Sequence, residues 1–285
     1  MKKQLAIFLI NIFCVKTLLL GFSLEINASY DYFRGLPDGS WNGNSGAFIA
    51  ANSGMSLYNS INLQVGGSYG LYNWDGRGNV VFSNPNKVEQ IGFLTAGLSS
   101  SFCKWNAGVV YDRLFTKHFG IYDLDPSIDQ LRFQTGYSFC FDELGVWGTL
   151  DLTRSHQYAL GIPTNFKAVG QMNLFWAHTF QNCAQTNLWI GMPYRHSYMF
   201  PHERVGNLIA GFSFRAPLTH KLFIDGNASY MSARKFDGDI KNRNYGSSIC
   251  IGLTYFYSGR PSSCDSPYMP IANHSNFFVD TNFNQ

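Results

Sequence analysis

The chain has 285 residues, of which 45% are hydrophobic and 16% aromatic but only 14% charged, where an average soluble domain carries about a quarter charged residues. Its formal charge of +3 is spread thinly, with no block of Lys or Arg and no basic stripe among aromatics, so nucleic acid is not an expected partner. After residue 24 no apolar run approaches the roughly 20 residues a helical span needs, which excludes a helical membrane bundle.

At the N-terminus, Met1, Lys2 and Lys3 precede apolar stretches from Leu5 to Val15 and from Thr17 to Phe22, with Lys16 between them. That order predicts an export signal over residues 1–23. A cut after Ser23 would leave Ser23 and Gly21 at the last and third-last positions, and a cut after Ala28 is the other candidate. Cys14 follows Ile12 and Phe13 rather than small residues, so no lipid attachment is expected.

From residue 24 to 257 the chain repeats one unit, a stretch of alternating polarity followed by a turn. Ile26, Ala28, Tyr30 and Tyr32 share a face in the first stretch. In the third, Ile61, Leu63, Val65, Tyr69 and Leu71 oppose Asn62, Gln64, Gly66, Ser68 and Gly70. A period of two means strand. Between Gln130 and Phe141, Leu131, Phe133, Thr135, Tyr137 and Phe139 oppose Arg132, Gln134, Gly136 and Ser138, and the same split recurs in 144–155, 222–232 and 245–257. These stretches exceed the roughly five to six residues usual in soluble sheets and suit a tilted membrane strand of about nine to eleven.

Connections alternate in length. Short ones fall near 55–57, at Cys103, near 141–143, at 182–183 and at 217–219; long ones run over 34–43, 74–87, 115–128, 156–166, 196–203 and 233–244. Outer-membrane barrels have short periplasmic turns and longer external loops. Under that parity twelve strands are predicted, at 24–33, 44–54, 58–73, 88–102, 104–115, 129–140, 144–155, 167–180, 184–196, 204–216, 220–232 and 245–257. The fold class expected is therefore all-β, a transmembrane antiparallel up-and-down barrel over residues 24–257. A soluble β-sandwich would also alternate, but strand length, loop alternation and the scarcity of charge on either face favour the barrel.

Aromatics gather near strand ends, at Tyr30, Tyr32 and Phe33, at Tyr72 and Trp74, at Phe102 and Trp105, at Tyr194 and Tyr198, and at Tyr255 and Tyr257. Such positions suit the membrane interfaces. Residues 258–285 lose the pattern and form a tail that either hangs in the periplasm or folds back as a plug. Many barrels end on an aromatic residue read by the assembly machinery, an expected partner along with outer-membrane lipid. This chain ends Asn282, Phe283, Asn284, Gln285, which moves the expected signal to Leu253, Tyr255 and Tyr257.

If the alternation holds, the charges facing the lumen are Glu89, Lys104, Asp112, Arg132, Asp151, Lys167, Arg195, Lys221 and Asp225. Mixed signs suit either a weakly selective pore or ion pairs closing a narrow interior. Without the signal five cysteines remain, and none has Cys-x-x-Cys spacing, so neither zinc nor a cofactor is expected. Cys103, Cys140 and Cys183 lie at short turns on one rim, and Cys264 in the tail is placed to reach it. These four are candidates for disulfides, with free thiols as the alternative. No histidine stands where a strand would pair it with a Ser and an Asp, no Gly-x-Ser-x-Gly occurs, and His274, Ser275, Asn276 lies outside the strands. The reading is not an enzyme.

The stretch from Val88 to Leu150 resembles a planctomycete and chlamydial family of outer-membrane β-barrels of unknown function. The likeness rests on Gln90 with Phe93, Thr95 and Gly97, on Gly108 to Asp112, on Gln130 to Arg132, and on Glu143 to Trp147. It covers mainly residues 88–155, and the short, cysteine-bearing form is similar to the chlamydial members (Chlamydiae). What it implies is an envelope barrel in the cell outer membrane, with no catalytic residues to carry over. The function expected is a passive, porin-like channel for small solutes. The alternative is a structural or surface-interaction barrel with a closed lumen, whose loops meet a partner.

Overall fold

In the computed structural model, residues 22–35, 43–58, 60–73, 88–120, 123–159, 161–194, 205–232, 245–258 and 269–283 are described. Twelve strands form a closed antiparallel barrel: β1 (Phe22–Gly35), β2 (Gly43–Tyr58), β3 (Ile61–Asn73), β4 (Glu89–Phe102), β5 (Trp105–Lys117), β6 (Ser127–Phe139), β7 (Asp142–Asp151), β10 (Gln171–Thr179), β11 (Gln185–Pro193), β12 (Ile209–Pro217), β13 (Leu222–Met231) and β14 (Gly246–Ser258). Each pairs with its neighbour, β7 passes directly to β10, and β1 closes on β14 from Leu24 opposite Ser258 to Gly35 opposite Gly246. Closure leaves no unpaired strand edge, which apolar strands in lipid require.

One residue per pleat faces out and the next faces in. Outward lie Ile49, Val65, Leu94, Leu174, Ile190 and Ile251, all more than 50% exposed. Such a band has no polar solvent partner and fits hydrocarbon. Near the short turns it is bordered by Phe102, Trp105, Phe139 and Trp176, and near the long connections by Tyr30, Tyr69, Phe115 and Tyr230. Phe33 and Tyr72, expected at an interface, instead point inward and are 4% and 3% exposed. They sit at odd and even positions whose parity puts them on the lumen face of β1 and β3. Trp74 and Tyr198 lie outside the described residues.

The expected loop 156–166 contains a hairpin, β8 (Arg154–Ala159) and β9 (Ile162–Ala168), turning at Gly161 with φ +82°. The strand expected at 144–155 accordingly stops at Asp151, and that expected from 167 begins at Gln171. The hairpin gains a third strand, β15 (Val279–Phe283), from the chain's far end, with Val279 opposite Ala168 and Asp280 opposite Lys167. No local pattern could announce a strand whose partner is more than 100 residues away. Residues 1–21 of the export signal expected over 1–23, Cys14 among them, lie outside the described residues. A cut after Ala28 would remove Glu25 and Asn27, which pair with β2 and β14, whereas a cut after Ser23 would remove only the first two residues of β1.

Candidate functional site: a lumen filled from one end

The described part of the tail begins inside the barrel at Met269. Gln64 on β3 grips that residue reciprocally, its Nε2 donating to the Met269 carbonyl at 2.7 Å and its Oε1 accepting from the Met269 N–H at 2.9 Å. The next steps follow the same logic: Arg132 Nη2 donates to the Pro270 carbonyl at 2.6 Å, and the Ala272 N–H to Thr95 Oγ1 at 2.9 Å. Side chains from three strands thus do for an extended segment what a neighbouring strand would do, satisfying backbone groups that burial would otherwise leave costly. Two wall glycines make room. A Cβ on Gly66 would come within 2.7 Å of Ile271 Cγ2, and one on Gly108 within 2.6 Å of Met269 Sδ.

A tight turn follows. The N–H groups of Asn276 and Phe277 donate to the Asn273 carbonyl, and the Asn273 N–H to Asn276 Oδ1 at 2.9 Å. The turn presents His274 to Asp31, Nδ1 to Oδ2 at 2.5 Å, and the imidazole stacks on Phe33 with centroids 4.0 Å apart. Ser275 donates to Asn227 and shares a hydrogen bond with Ser248 at 3.1 Å. His274 Nε2 is buried and meets no hydrogen-bond partner among the described residues. The Ser275 hydroxyl thus bonds Asn227 and Ser248, and the imidazole bonds Asp31, within one tight turn. Beyond it Phe277, Phe278 and Val279 enter two apolar cores: Phe33, Tyr72, Ile91, Phe93, Leu114, Phe119, Ile128 and Phe166 on one side, Trp147, Phe175, Trp189, Ile209 and Met231 on the other. The Val169 N–H then donates to the Phe278 carbonyl at 2.9 Å, and β15 completes the three-stranded sheet. The end of the barrel bearing the long connections is filled with side chains.

Under this plug lies a buried ion pair. Arg132 forks onto Asp112, Nε to Oδ2 at 3.0 Å and Nη2 to Oδ1 at 3.1 Å, a two-bond geometry that adds direction to charge. Thr95 donates to Asp112 at 2.7 Å and Gln130 at 3.0 Å. Both charges are thus compensated, as removal from water demands.

Of the charges expected in the lumen, Asp112, Arg132, Glu89 and Asp225 stand on its wall. Glu89 accepts from Asn44 Nδ2 and from the Gly120 N–H, at the plugged end. Asp225 accepts from Asn27 and Thr254 at the other. Asp151 ends β7 opposite Gln130 on the inward face. Lys104 and Lys221 do not line the lumen. Lys104 occupies the two-residue turn after β4, its ammonium 6.0 Å from the Tyr137 ring, and Lys221 lies exposed in the turn before β13; the alternation that placed them inward breaks down once the chain turns. Lys167 belongs to β9 and pairs with Asp280 at 3.6 Å, while Arg195 lies outside the described residues.

Among the four candidate cysteines, Cys103 and Cys140 are free, exposed thiols, contrary to a disulfide role within the chain. Each sits on a separate hairpin turn. Cys183 is disulfide-bonded, and Cys264 lies outside the described residues. Cys103, Cys140 and Cys183 all adopt positive φ, 55°, 56° and 64°, a conformation that costs a residue with a Cβ about 1 kcal/mol or more.

Below the plug the described residues leave the lumen hollow. A cavity of about 790 Å³ opens toward the short turns and ends at Met269, Pro270, Ile271 and Asn273. Its wall carries Glu25, Asp142, Glu143 and Asp225 with Arg215, many amides and hydroxyls, and four phenylalanines. Arg215 pairs with Glu25 at 3.3 Å, Asn52 donates to Glu25 at 3.0 Å, and Asn106 to Glu143 at 2.9 Å. Among the described residues no group of three or more His, Cys, Asp or Glu is placed to hold a metal ion.

Residues 21–279 match the family of unknown function DUF6666. The chain belongs to that family. No curated protein sequence matches it. Solved structures similar to this DUF6666 member include the calcium-bound dimer of the Salmonella typhi outer membrane phospholipase, at 8% identity and a TM-score of 0.45, covering 82% of this chain and 90% of that one. The deltaS2S3 variant of the TodX monoaromatic hydrocarbon channel is similar at 10% identity and 0.48, covering 83% and 90%. The P. putida toluene transporter TodX is similar at 10% and 0.43, covering 83% and 89%. At such identities the likeness concerns the barrel alone.

Proposed function

We propose that this DUF6666 protein is a bacterial outer-membrane barrel with short turns in the periplasm and long connections outside, closed by its own C-terminal segment and serving as a structural or surface-interaction protein of the envelope. The observation that carries this reading is the reciprocal pair between Gln64 and Met269, followed by Phe277 and Phe278 in the apolar cores. A segment seated through both backbone hydrogen bonds and buried aromatic rings supports a lumen without a continuous water path. The passive-channel expectation needs such a path. A twelve-stranded barrel lies between side-chain-filled barrels of about eight strands and open porins of about sixteen, so strand number favours neither reading and the plug supports the closed one. The exposed side of β8, with Arg154, His156 and Tyr158, and the long connections are then the surfaces for a partner. Single-channel recording of the refolded, signal-free protein in a planar bilayer tests the reading. Folded, inserted protein should stay silent; discrete, reproducible conductance steps from the full chain would sink the closed barrel and restore the porin.

A further inference from the structure

The tail carries a single histidine, His274, and the plug seats it where one of its nitrogens meets nothing polar. The imidazole stacks on Phe33 with centroids 4.0 Å apart and meets Tyr72 and Phe93 edge-on at 5.5 and 5.4 Å. Its Nδ1 reaches Asp31 Oδ2 at 2.5 Å, and the same oxygen accepts from the Tyr72 hydroxyl at 3.1 Å. Two partners on one carboxylate oxygen make Asp31 the acceptor and Nδ1 the nitrogen that carries the proton. Nε2, on the far side of the ring, is buried and has no hydrogen-bond partner among the described residues. The seat therefore provides for one imidazole N–H and makes no provision for a second.

An imidazolium has two N–H donors. Charging His274 in its seat would set the new N–H among three aromatic rings, with no acceptor to meet it. Asp31 does not cancel that cost. It holds the Nδ1–H in both forms, and its pull on the added charge is set against removing that charge from water, a balance that turns unfavourable when a proton of the pair stays unbonded. The other ionisable groups around the turn supply no acceptor either. Arg34 of β1 borders the same small pocket, its guanidinium 5.9 Å from the Tyr245 ring, and adds a like charge. Glu89 of β4 accepts from Asn44 and the Gly120 N–H, Asp112 of β5 is held by Arg132 of β6, and Asp280 of β15 by Lys167. On β14, Cys250 stands opposite Asp31 and offers only a weakly accepting thiol. We propose that His274 is an acid-sensitive latch: a proton on Nε2 frees the turn at Asn273 to Asn276 from Asp31 and lets the plug leave its seat, where water accepts from both nitrogens. The seated turn then holds one proton fewer than the released one. Seating is strongest above the range in which a solvated imidazole titrates, around pH 6.5, and weakens as pH falls, by up to about tenfold per pH unit for one proton.

The latch rests on the closed-lumen reading, because the seated plug is what it releases, and the test separates the two. In a planar bilayer the refolded, signal-free protein should be silent at pH 7.5 and show openings that rise by up to about tenfold per pH unit below pH 6.5. Exchange of the Ala272 amide, which donates to Thr95, should rise in step once normalised to an unstructured amide at each pH. His274→Gln, which keeps an N–H for Asp31 and takes up no proton, should stay silent and protected down to about pH 5.5. Asp31→Asn, which keeps a carbonyl for the Nδ1–H without the charge that favours an imidazolium, should open at a higher pH than the parent. A parent silent and protected throughout would overturn the latch and leave the closed barrel standing. Equal acid opening in His274→Gln and the parent would overturn it too, by placing the switch elsewhere. If His274→Gln is already unprotected at pH 7.5, Asp31→Asn decides, and its opening at a lower pH than the parent overturns the latch. A barrel that conducts at pH 7.5, yet loses Ala272 protection in acid only with His274 present, would sink the closed lumen and keep the latch.

Discussion

The two ends of this barrel are built from the same alternating strands yet filled in opposite ways. Toward the long connections, inward positions hold Phe33, Tyr72, Ile91, Phe93, Leu114, Ile128, Trp147 and Trp189, and the plug adds Phe277 and Phe278. Toward the short turns, inward positions hold Asn27, Asn52, Ser99, Asn106, Ser138, Glu143 and Asn227, and the space between them stays open. Burial of apolar surface stabilises the first end at roughly 25 cal/mol per Å², whereas the second depends on hydrogen bonds whose net worth is about 1 kcal/mol each. The contrast explains how a chain of this size can be packed at one end and hollow at the other. One end is a protein core that happens to lie in a membrane, and the other is a polar cup lined to stay wet.

The comparison can be broken most forcefully at the sealed end. Phe277, 2% exposed, touches both the plug turn and the ring of Phe93, centroids 5.6 Å apart. Phe277→Ala should destabilise the fold by about 3–5 kcal/mol, read as a lower urea midpoint in lipid vesicles, and should let the silent barrel conduct intermittently. An unchanged midpoint would show that the plug adds nothing to the folded state. Gln64→Ala, at the boundary between the ends, removes both hydrogen bonds to Met269 and leaves a buried N–H and carbonyl. A loss of roughly 1–3 kcal/mol is expected, with hydrogen exchange at the Met269 amide rising well before that of β15. If Met269 and β15 exchange together, the plug moves as one piece and the boundary drawn here is false.

How much of this was legible in the sequence follows the same division. The twelve strands, their faces and the alternation of turns were legible, because a period of two is a local property and every outward residue repeats it. The inner cup was partly legible through the inward Asn, Ser and carboxylates. Two features of the sealed end were not. β15 pairs with β9 only because the tail passes through the lumen, and nothing in Val279 to Phe283 says so. The hairpin β8–β9 was hidden by its small size and by Pro163, which lies one residue beyond the last position of β9 paired with β15 and weakens a strand pattern. A signal did exist in Ile91-Gly92-Phe93-Leu94 and Leu174-Phe175-Trp176, where alternation gives way to runs apolar on both faces. Such runs mark strands buried on both sides. They sit in β4 and β10, where lipid covers one face and the plug cores cover the other.

The smallest effect expected concerns thiols, and it sharpens the boundary without perturbing the fold. Cys103 and Cys140 are exposed on the turns at the rim of the cup, while Cys250 on β14 is buried, although it also lies along the cup's wall. The left-handed backbone at Cys103 and Cys140, where glycine would be free of strain, presents each thiol on a tight two-residue turn. A polar maleimide added to the folded protein should therefore modify Cys103 and Cys140 and spare Cys250 until the barrel is unfolded, as peptide mapping by mass would show. Modification of Cys250 at the same rate as the rim thiols would mean that the wet end reaches further toward Asp31 and His274 than the packing allows. Protection of Cys103 and Cys140 would mean that the rim is covered, and the cup would then be closed at both ends.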